Sequence, residues 1–356
     1  MKDNKYLLVK GIAGLGNRIR CVLTAILYAR LTGRRLIIDW RDRAYSSDGT
    51  NVFPLLFKCP LCGLKEDIPD TDSVRPSIWN GRLHESAFEM QKRHETLGSP
   101  DSWKKYSFDL SRLDYQEDIL VMWSYTEQVD LLRKHFTGEL GELRDASTET
   151  ILRKLLREEL ILHPSLREKV DQVKVNRFQK KTVGIHVRFT DRRTQLWTIV
   201  KKLDALLEGE PDLQIFLATD NVYIKNIFQD IYANVFTTQQ IYPKSGMSMH
   251  HDEECQDRTT HGIEALIDLY LLAECTYLII DRSSSFSYIA SLLTSTPSFN
   301  IVNIQSDHKK NWVRRRIERS IWLAAVKLGL FSGYLRILGR FIRLKRHSQP
   351  SKKTEK

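Results

Sequence analysis

The sequence predicts an α/β chain built from two Rossmann-like halves. The first sign is a strand, glycine-rich turn, helix, strand unit near the N-terminus. The second is a run of strands in the C-terminal half, each ending in a cluster of polar residues. The third is length, since 356 residues exceed one ordinary core and favour two.

The first half opens with an apolar strand at Tyr6–Val9 and the turn Gly11-Ile-Ala-Gly14-Leu-Gly16-Asn17-Arg18. A helix from about Ile19 to Leu31 follows, and Leu36–Trp40 reads as the next strand. This is one right-handed parallel crossover of a doubly wound sheet. Residues 41 to about 110 are irregular and punctuated by proline. Ile119–Trp123 is a further strand, and 126–175 reads as helices rich in Leu, Glu and Arg. A boundary is expected near 176.

The α/β rhythm then resumes. Thr182–Val187 and Leu213–Ala218 are strands, with a helix near Val222–Tyr232. A polar, His-rich loop covers 244–261. Helix Gly262–Glu274, strand Tyr277–Ile280, a helix opened by Ser283–Ser285, and strand Phe299–Ile304 complete the half. The expected division is 1–176, 177–308 and a tail, 309–356.

The charge of +11 belongs to that tail. Residues 309–356 hold 15 Lys or Arg against Glu318 and Glu355, a net of +13, so the preceding chain is slightly acidic. A diffuse nucleic-acid-binding surface is not required, and no nucleic-acid partner is expected. Residues 321–346 set Ile, Leu, Trp and Phe among Lys and Arg, a basic amphipathic pattern suited to peripheral contact with an anionic membrane. The alternative is a helix packed back across the other half. No apolar run is long enough to span a bilayer, and no signal-peptide pattern opens the chain. The expected location is cytoplasmic, in a bacterium, peripheral on the inner face of the membrane where the tail engages it. Cys21 and Cys275 read as core residues. Cys59-Pro-Leu-Cys62 is a lone pair without the second pair that a structural zinc site needs.

The chemistry-bearing residues fall at strand ends, where open α/β sheets bind ligands. Gly14-Leu-Gly16-Asn17 lies at a strand-to-helix turn, where glycine lets a ligand approach the backbone and a helix N-terminus attracts anions. His186-Val-Arg188-Phe-Thr190-Asp191-Arg192 follows a strand, and alternation puts His186 and Arg188 on one side. A guanidinium there can grip phosphate; the alternative is an Arg–Asp ion-pair cluster. Asp220 ends the next strand, where it is either a site residue or a helix cap. Asp268 interrupts an apolar helix and needs a partner; the N1 and N2 hydrogens of guanine would suit it. Ser283-Ser284-Ser285 opens a helix and forms a candidate phosphate cradle; the alternative is a plain helix N-cap with a solvated Asp268. These signals converge on a nucleoside diphosphate. No Asp-x-Asp motif stands at a strand end to hold a metal, so the arginine would do the neutralising.

These segments also resemble a known family. Gly14-Leu-Gly-Asn-Arg with Tyr28 through Arg41 resembles the start of nodulation-factor α-1,6-fucosyltransferases. His186-Val-Arg188-Phe-Thr-Asp191 is similar to the donor motif shared with animal core fucosyltransferases. Ala218-Thr-Asp220 and the stretch from Ile267 to Ser285 match the remaining motifs over about residues 5–305.

The resemblance implies a GT-B fold, two Rossmann-like domains facing a cleft. It implies an inverting transferase that takes GDP-fucose as donor substrate, uses no metal or cofactor and acts on a carbohydrate or glycolipid acceptor. By the same resemblance Arg188 and Ser284 hold the β-phosphate, His186 and Asp268 address guanine, Asp220 stands in the site, and Gly16 and Asn17 line the cleft. Arg192 replaces a lysine of the animal enzymes. Leu196 stands where those enzymes carry a glutamate taken as the general base, which leaves Asp191 as the base by position. A transferase using another GDP-sugar, and a non-catalytic nucleotide-binding or membrane-surface protein, are the alternatives.

Overall fold

The computed structural model describes residues 5–62, 67–95, 102–190, 194–238, 242 and 257–305. Asp191, Arg192, Cys255 and the whole tail, including 321–346, lie outside the described residues.

The first unit begins with β1 (Tyr6–Lys10), α1 (Leu15–Thr32) and β2 (Arg35–Asp39). Next come α2 (Phe53–Leu56), β3 (Phe57–Lys58), β4 (Val74–Arg75), α3 (Ala87–Arg93), α4 (Ser102–Tyr106) and β5 (Ile119–Met122). It closes with α5 (Val129–Leu132), α6 (Thr148–Glu158), β6 (Ile161–Leu162) and α7 (Pro164–Arg177). The second unit runs β7 (Thr182–Val187), α8 (Leu196–Gly209), β8 (Gln214–Thr219), α9 (Val222–Ile231) and β9 (Val235–Phe236). It ends with α10 (Arg258–Ala273), β10 (Tyr277–Ile280), α11 (Ser285–Leu293) and β11 (Ile301–Asn303).

Each unit has a parallel sheet. The first is ordered β2-β1-β5-β4 and the second β11-β10-β7-β8-β9, with β3 and β6 forming a small antiparallel pair. The central strands β5 and β7 are buried along their whole length, as parallel strands covered on both faces must be.

Helix α1 carries apolar residues on most faces and is buried over most of its length because it lies between the units. One continuous apolar core joins α1 and the inner face of the first sheet to α10, α11 and residues of β8 and β10. Two further cores cover the outer faces: Leu8, Trp79, Tyr106 and Trp123 under the first sheet, and Val187, Leu196, Leu203 and Phe228 over the second.

Polar contacts add to this join. Arg153 of α6 donates to the Leu292 and Thr294 carbonyls at 2.7 and 3.0 Å and so satisfies the free C-terminal carbonyls of α11. Glu274, just past α10, accepts Arg167 at 3.2 Å and Lys174 at 2.7 Å from α7.

Several elements differ from the sequence reading. α1 begins at Leu15 rather than Ile19, so Gly16 and Asn17 belong to its first turn and Gly14 is its cap. α10 begins at Arg258, four residues ahead of expectation, because Asp257 caps it by accepting the Thr260 amide at 2.8 Å. α8 was not expected. Its signal is present in the buried Leu196, Ile199, Val200 and Leu203, which recur at helical spacing. Only Ile301–Asn303 of the last expected strand is extended, since Ser298–Asn300 forms a 3₁₀ turn.

Candidate active site

The site gathers at the C-terminal ends of β7, β8 and β10. β7 delivers His186, which is 8% exposed. Its Nδ1 lies 2.6 Å from the Ser287 hydroxyl, and its ring stacks on Phe286 with centroids 4.7 Å apart. Burial, then the Arg188 charge, pushes the imidazole down to about 3, against the opposing pull of Asp281. His186 is therefore a neutral, fixed ring at physiological pH.

Arg188 stands half-buried just past the strand end. The turn after it is closed by Thr194: the Arg188 amide donates to the Thr194 hydroxyl at 3.0 Å, and the Thr194 amide to the Arg188 carbonyl at 2.9 Å. Asp220 secures the same turn by accepting the Phe189 amide at 2.7 Å and the Thr190 hydroxyl at 2.6 Å. Its neighbour Asn221 caps α9 through the Tyr223 and Ile224 amides. Of the two adjacent polar residues, the asparagine is the helix cap and the aspartate holds the arginine-bearing turn.

The start of α11 forms the cradle. Asp281 accepts both the amide and the hydroxyl of Ser283, at 2.9 and 2.6 Å, and its carbonyl accepts the Ser284 amide at 3.0 Å. These bonds shape the turn without using the helix end itself. Ser284 is the N-cap residue, yet its hydroxyl caps nothing; it is buried, 8% exposed as a residue, and has no partner among the described residues. The amides of Ser285, Phe286 and Ser287 lie in the first turn, where no intrahelical acceptor exists. A buried hydroxyl and first-turn amides at a helix N-terminus suit an anion.

The first unit meets this cradle directly. A Cβ on Gly16 would sit 2.5 Å from the Ser285 carbonyl oxygen and 2.6 Å from the Phe286 nitrogen, so only glycine fits. Asn17, one residue on, is half-buried, and its amide donates to the Gly14 carbonyl at 3.0 Å. The N-termini of α1 and α11 thus face one another across the join of the two units.

Asp268 lies deeper, on α10, 2% exposed. Thr238 donates to its Oδ1 at 2.5 Å. Burial pushes the carboxyl up to about 8, opposed by the Thr238 bond and reinforced by Glu264. The Tyr242 hydroxyl is pushed up to about 12 by burial and by the charges of Asp268, Glu264 and Asp220, against the opposing pull of a hydrogen bond with Thr237.

Sequence reasoning missed Thr238, Tyr242, Phe286 and Ser287. The last two had a signal, since they occupy the first turn of the helix that Ser284 caps. Leu196, at the position of the animal enzymes' glutamate, is the first residue of α8 and is buried in the outer core, so no base arises there. Among the described residues no group of three or more His, Cys, Asp or Glu side chains is placed to hold a metal ion. Among the described residues no disulfide forms, and Cys62 donates its amide to the Cys59 carbonyl at 3.0 Å.

No family model matches the chain. Individual proteins do. Nodulation protein Z of Azorhizobium caulinodans is 24% identical over 310 residues, covering 79% of this chain and 86% of that protein. Nodulation protein Z of Bradyrhizobium diazoefficiens is 24% identical over 325 residues, covering 82% and 79%. Among solved structures, the fucosyltransferase NodZ from Bradyrhizobium superposes with a TM-score of 0.55 at 20% identity, over 85% of this chain and 96% of that one. NodZ α-1,6-fucosyltransferase soaked with GDP-fucose gives a TM-score of 0.54 over 82% of this chain and 93% of that one. Two parallel α/β units in this arrangement constitute a GT-B-type fold. The chain is similar in sequence to nodulation protein Z over about four fifths of its length, and in fold to the solved NodZ fucosyltransferase.

Proposed function

We propose that the chain is an inverting glycosyltransferase that moves fucose from GDP-fucose to a hydroxyl of a glycan acceptor. The observation that carries this reading is the cradle at the start of α11: its first-turn amides and the Ser284 hydroxyl, which has no partner among the described residues, against Gly16 of the facing helix. The relatives supply the donor, since NodZ has been solved with GDP-fucose and with GDP.

In this reading the second unit, about 177–308, holds the nucleotide, and the first, about 1–176, presents the acceptor. His186 and Asp268 address guanine. Arg188, Ser283, Ser284 and Ser285 hold the diphosphate, with Asp220 fixing the turn that carries Arg188. The acceptor oxygen attacks the anomeric carbon from the face opposite GDP. The bond from that carbon to the β-phosphate oxygen breaks, and its electron pair leaves with GDP. Arg188 and the α11 amides stabilise the charge that builds there, in place of a divalent ion. Asp191 takes the hydroxyl proton and Arg192 adds positive charge beside it, an assignment by sequence position.

Donor competition tests the sugar: GDP-fucose should be consumed and GDP-mannose should not. Turnover of GDP-mannose instead would replace fucose while keeping the fold and cradle. Asp191→Asn should lower kcat by about 10²-fold or more; unchanged turnover would remove Asp191 as base.

Among the described residues no helix is long and apolar enough to cross a membrane. We assign the basic amphipathic stretch 321–346 to peripheral contact with anionic lipid, which would bring a lipid-linked acceptor within reach. The full chain should sediment with phosphatidylglycerol vesicles but not phosphatidylcholine vesicles, and a chain ending before Lys309 with neither.

A further inference from the structure

Arg18, the last residue of the glycine turn motif, is 1% exposed. Its Nε donates to the Ala13 carbonyl at 2.9 Å, and Ala13 holds a left-handed φ of 60°. Its Nη2 pairs with Asp42. Its guanidinium also lies over the Tyr45 ring, 4.7 Å from the centroid, and over Trp40, 5.5 Å away. Nη1 occupies the space that a side chain on Gly11 would take. One side chain therefore shapes the glycine turn and grips the segment from Asp42 to Ser47.

That segment does not stay with its own unit. The Tyr45 carbonyl accepts the Thr259 hydroxyl at 3.2 Å, and the Ser47 hydroxyl accepts the Arg258 amide at 3.4 Å. Both partners belong to the first turn of α10 in the second unit. Gly262, in the next turn, leaves the room that the Tyr45 ring fills, for a Cβ there would lie 2.7 Å from Tyr45 Cδ1. Tyr45 also lies close enough to Arg188 for that charge to bear on its hydroxyl.

We propose that Arg18 is a positioning residue that fixes a strap, Asp42–Ser47, across the cleft onto α10, and so couples the glycine turn of the first unit to the closure of the second. The physical basis is the fork of the guanidinium, which holds a carbonyl, a carboxylate and an aromatic face at once. Arg18's contacts all lie within the first unit, but two of them, Asp42 and Tyr45, are on the segment that docks on the other. The catalytic consequence, alignment of Gly16 and Asn17 over the cradle, rests on the transferase reading above. The coupling itself does not.

The test uses the full chain and two variants that reach the strap from opposite sides. Arg18→Lys keeps the charge but cannot hold Ala13 and Asp42 together. Gly262→Ala crowds Tyr45 from α10 without touching Arg18, and stands alone if Arg18→Lys does not fold. In both, amide exchange over Arg258–Gly262 and the strap should rise by about tenfold or more while β7 and β8 stay protected. In both, kcat should fall by about tenfold or more, with the Kd for GDP within about threefold of wild type, because closure is disturbed and not the nucleotide pocket. Unchanged exchange at Arg258–Gly262 in the folded variants would overturn the coupling. So would exchange that rises while kcat stays at the wild-type value in a protein that binds GDP and turns over. A wild-type chain that binds no GDP, with variants that still show the rise in exchange, would keep the coupling and remove the transferase reading.

Discussion

Gly16 of α1 lies against the backbone of Ser285 at the first turn of α11, so closely that the smallest side chain would strike the Ser285 carbonyl oxygen at 2.5 Å. This contact puts two helix N-termini from different units at one point, where the proposed diphosphate would sit. Gly16→Ala is expected to force the helices apart. Overpacking of this kind costs about 1–3 kcal/mol, which a urea melt would register, and turnover should fall further than GDP affinity. Equal, small losses in both would separate the contact from the chemistry.

Ser284 offers the opposite balance. Its buried hydroxyl has no partner among the described residues, so Ser284→Ala removes an unsatisfied group and should leave stability unchanged or slightly raised. The same change should weaken GDP binding by about tenfold, the loss of one hydrogen bond to a charged group. Calorimetric titration alongside a thermal melt reads both, and a variant that is less stable with unaltered GDP affinity would reverse the assignment.

Asp268 gives the pH dependence of binding. Its carboxyl titrates near 8 in the free protein, well above the ordinary aspartate value, because it is buried. Contact with guanine N–H donors favours the charged form, so binding should release a proton. GDP affinity should then rise with pH, by up to about tenfold per unit, and level off above about 8. Asp268→Asn should flatten that profile. In the unliganded protein the sign is reversed: the native state holds a proton that the unfolded chain releases, so this group's contribution to stability is present below about 4 and is lost as pH rises toward 8.

His186 works the other way. Its folded value is pushed down to about 3 from an ordinary 6.5, so the unfolded chain binds a proton that the native ring refuses. Its contribution is present above 6.5 and is lost as pH falls toward 3. His186→Asn removes the titration, so the stability gap between wild type and variant should narrow between pH 7 and 4 in denaturant melts. A gap that widens on acidification would show that the ring is charged in the native state.

Much of this site was legible in the sequence, for a physical reason. Buried parallel strands such as Thr182–Val187 are short apolar runs, and the polar residues that interrupt the pattern at their ends, His186, Arg188 and Asp220, stand out against them. Glycines at a strand-to-helix turn likewise announced Gly16. Less was legible where contacts come from afar. Nothing in the spacing of Thr238 or Tyr242 marks them as neighbours of Asp268, and Tyr45 looks like any loop tyrosine until α10 is placed beside it. The role of Asp220 was visible as a choice between site and cap. Only the structure distributes those duties, giving Asn221 the cap and Asp220 the Arg188 turn.

The most direct measurement is titration of the full chain with GDP, GDP-fucose and UDP in the presence of EDTA, repeated with Arg188→Ala. The account predicts that GDP and GDP-fucose bind without a divalent ion, that UDP gives no heat, and that Arg188→Ala weakens binding by about 10²-fold, as expected when a charged phosphate clamp is removed. UDP binding as tightly as GDP, or Arg188→Ala binding GDP as wild type does, would contradict it.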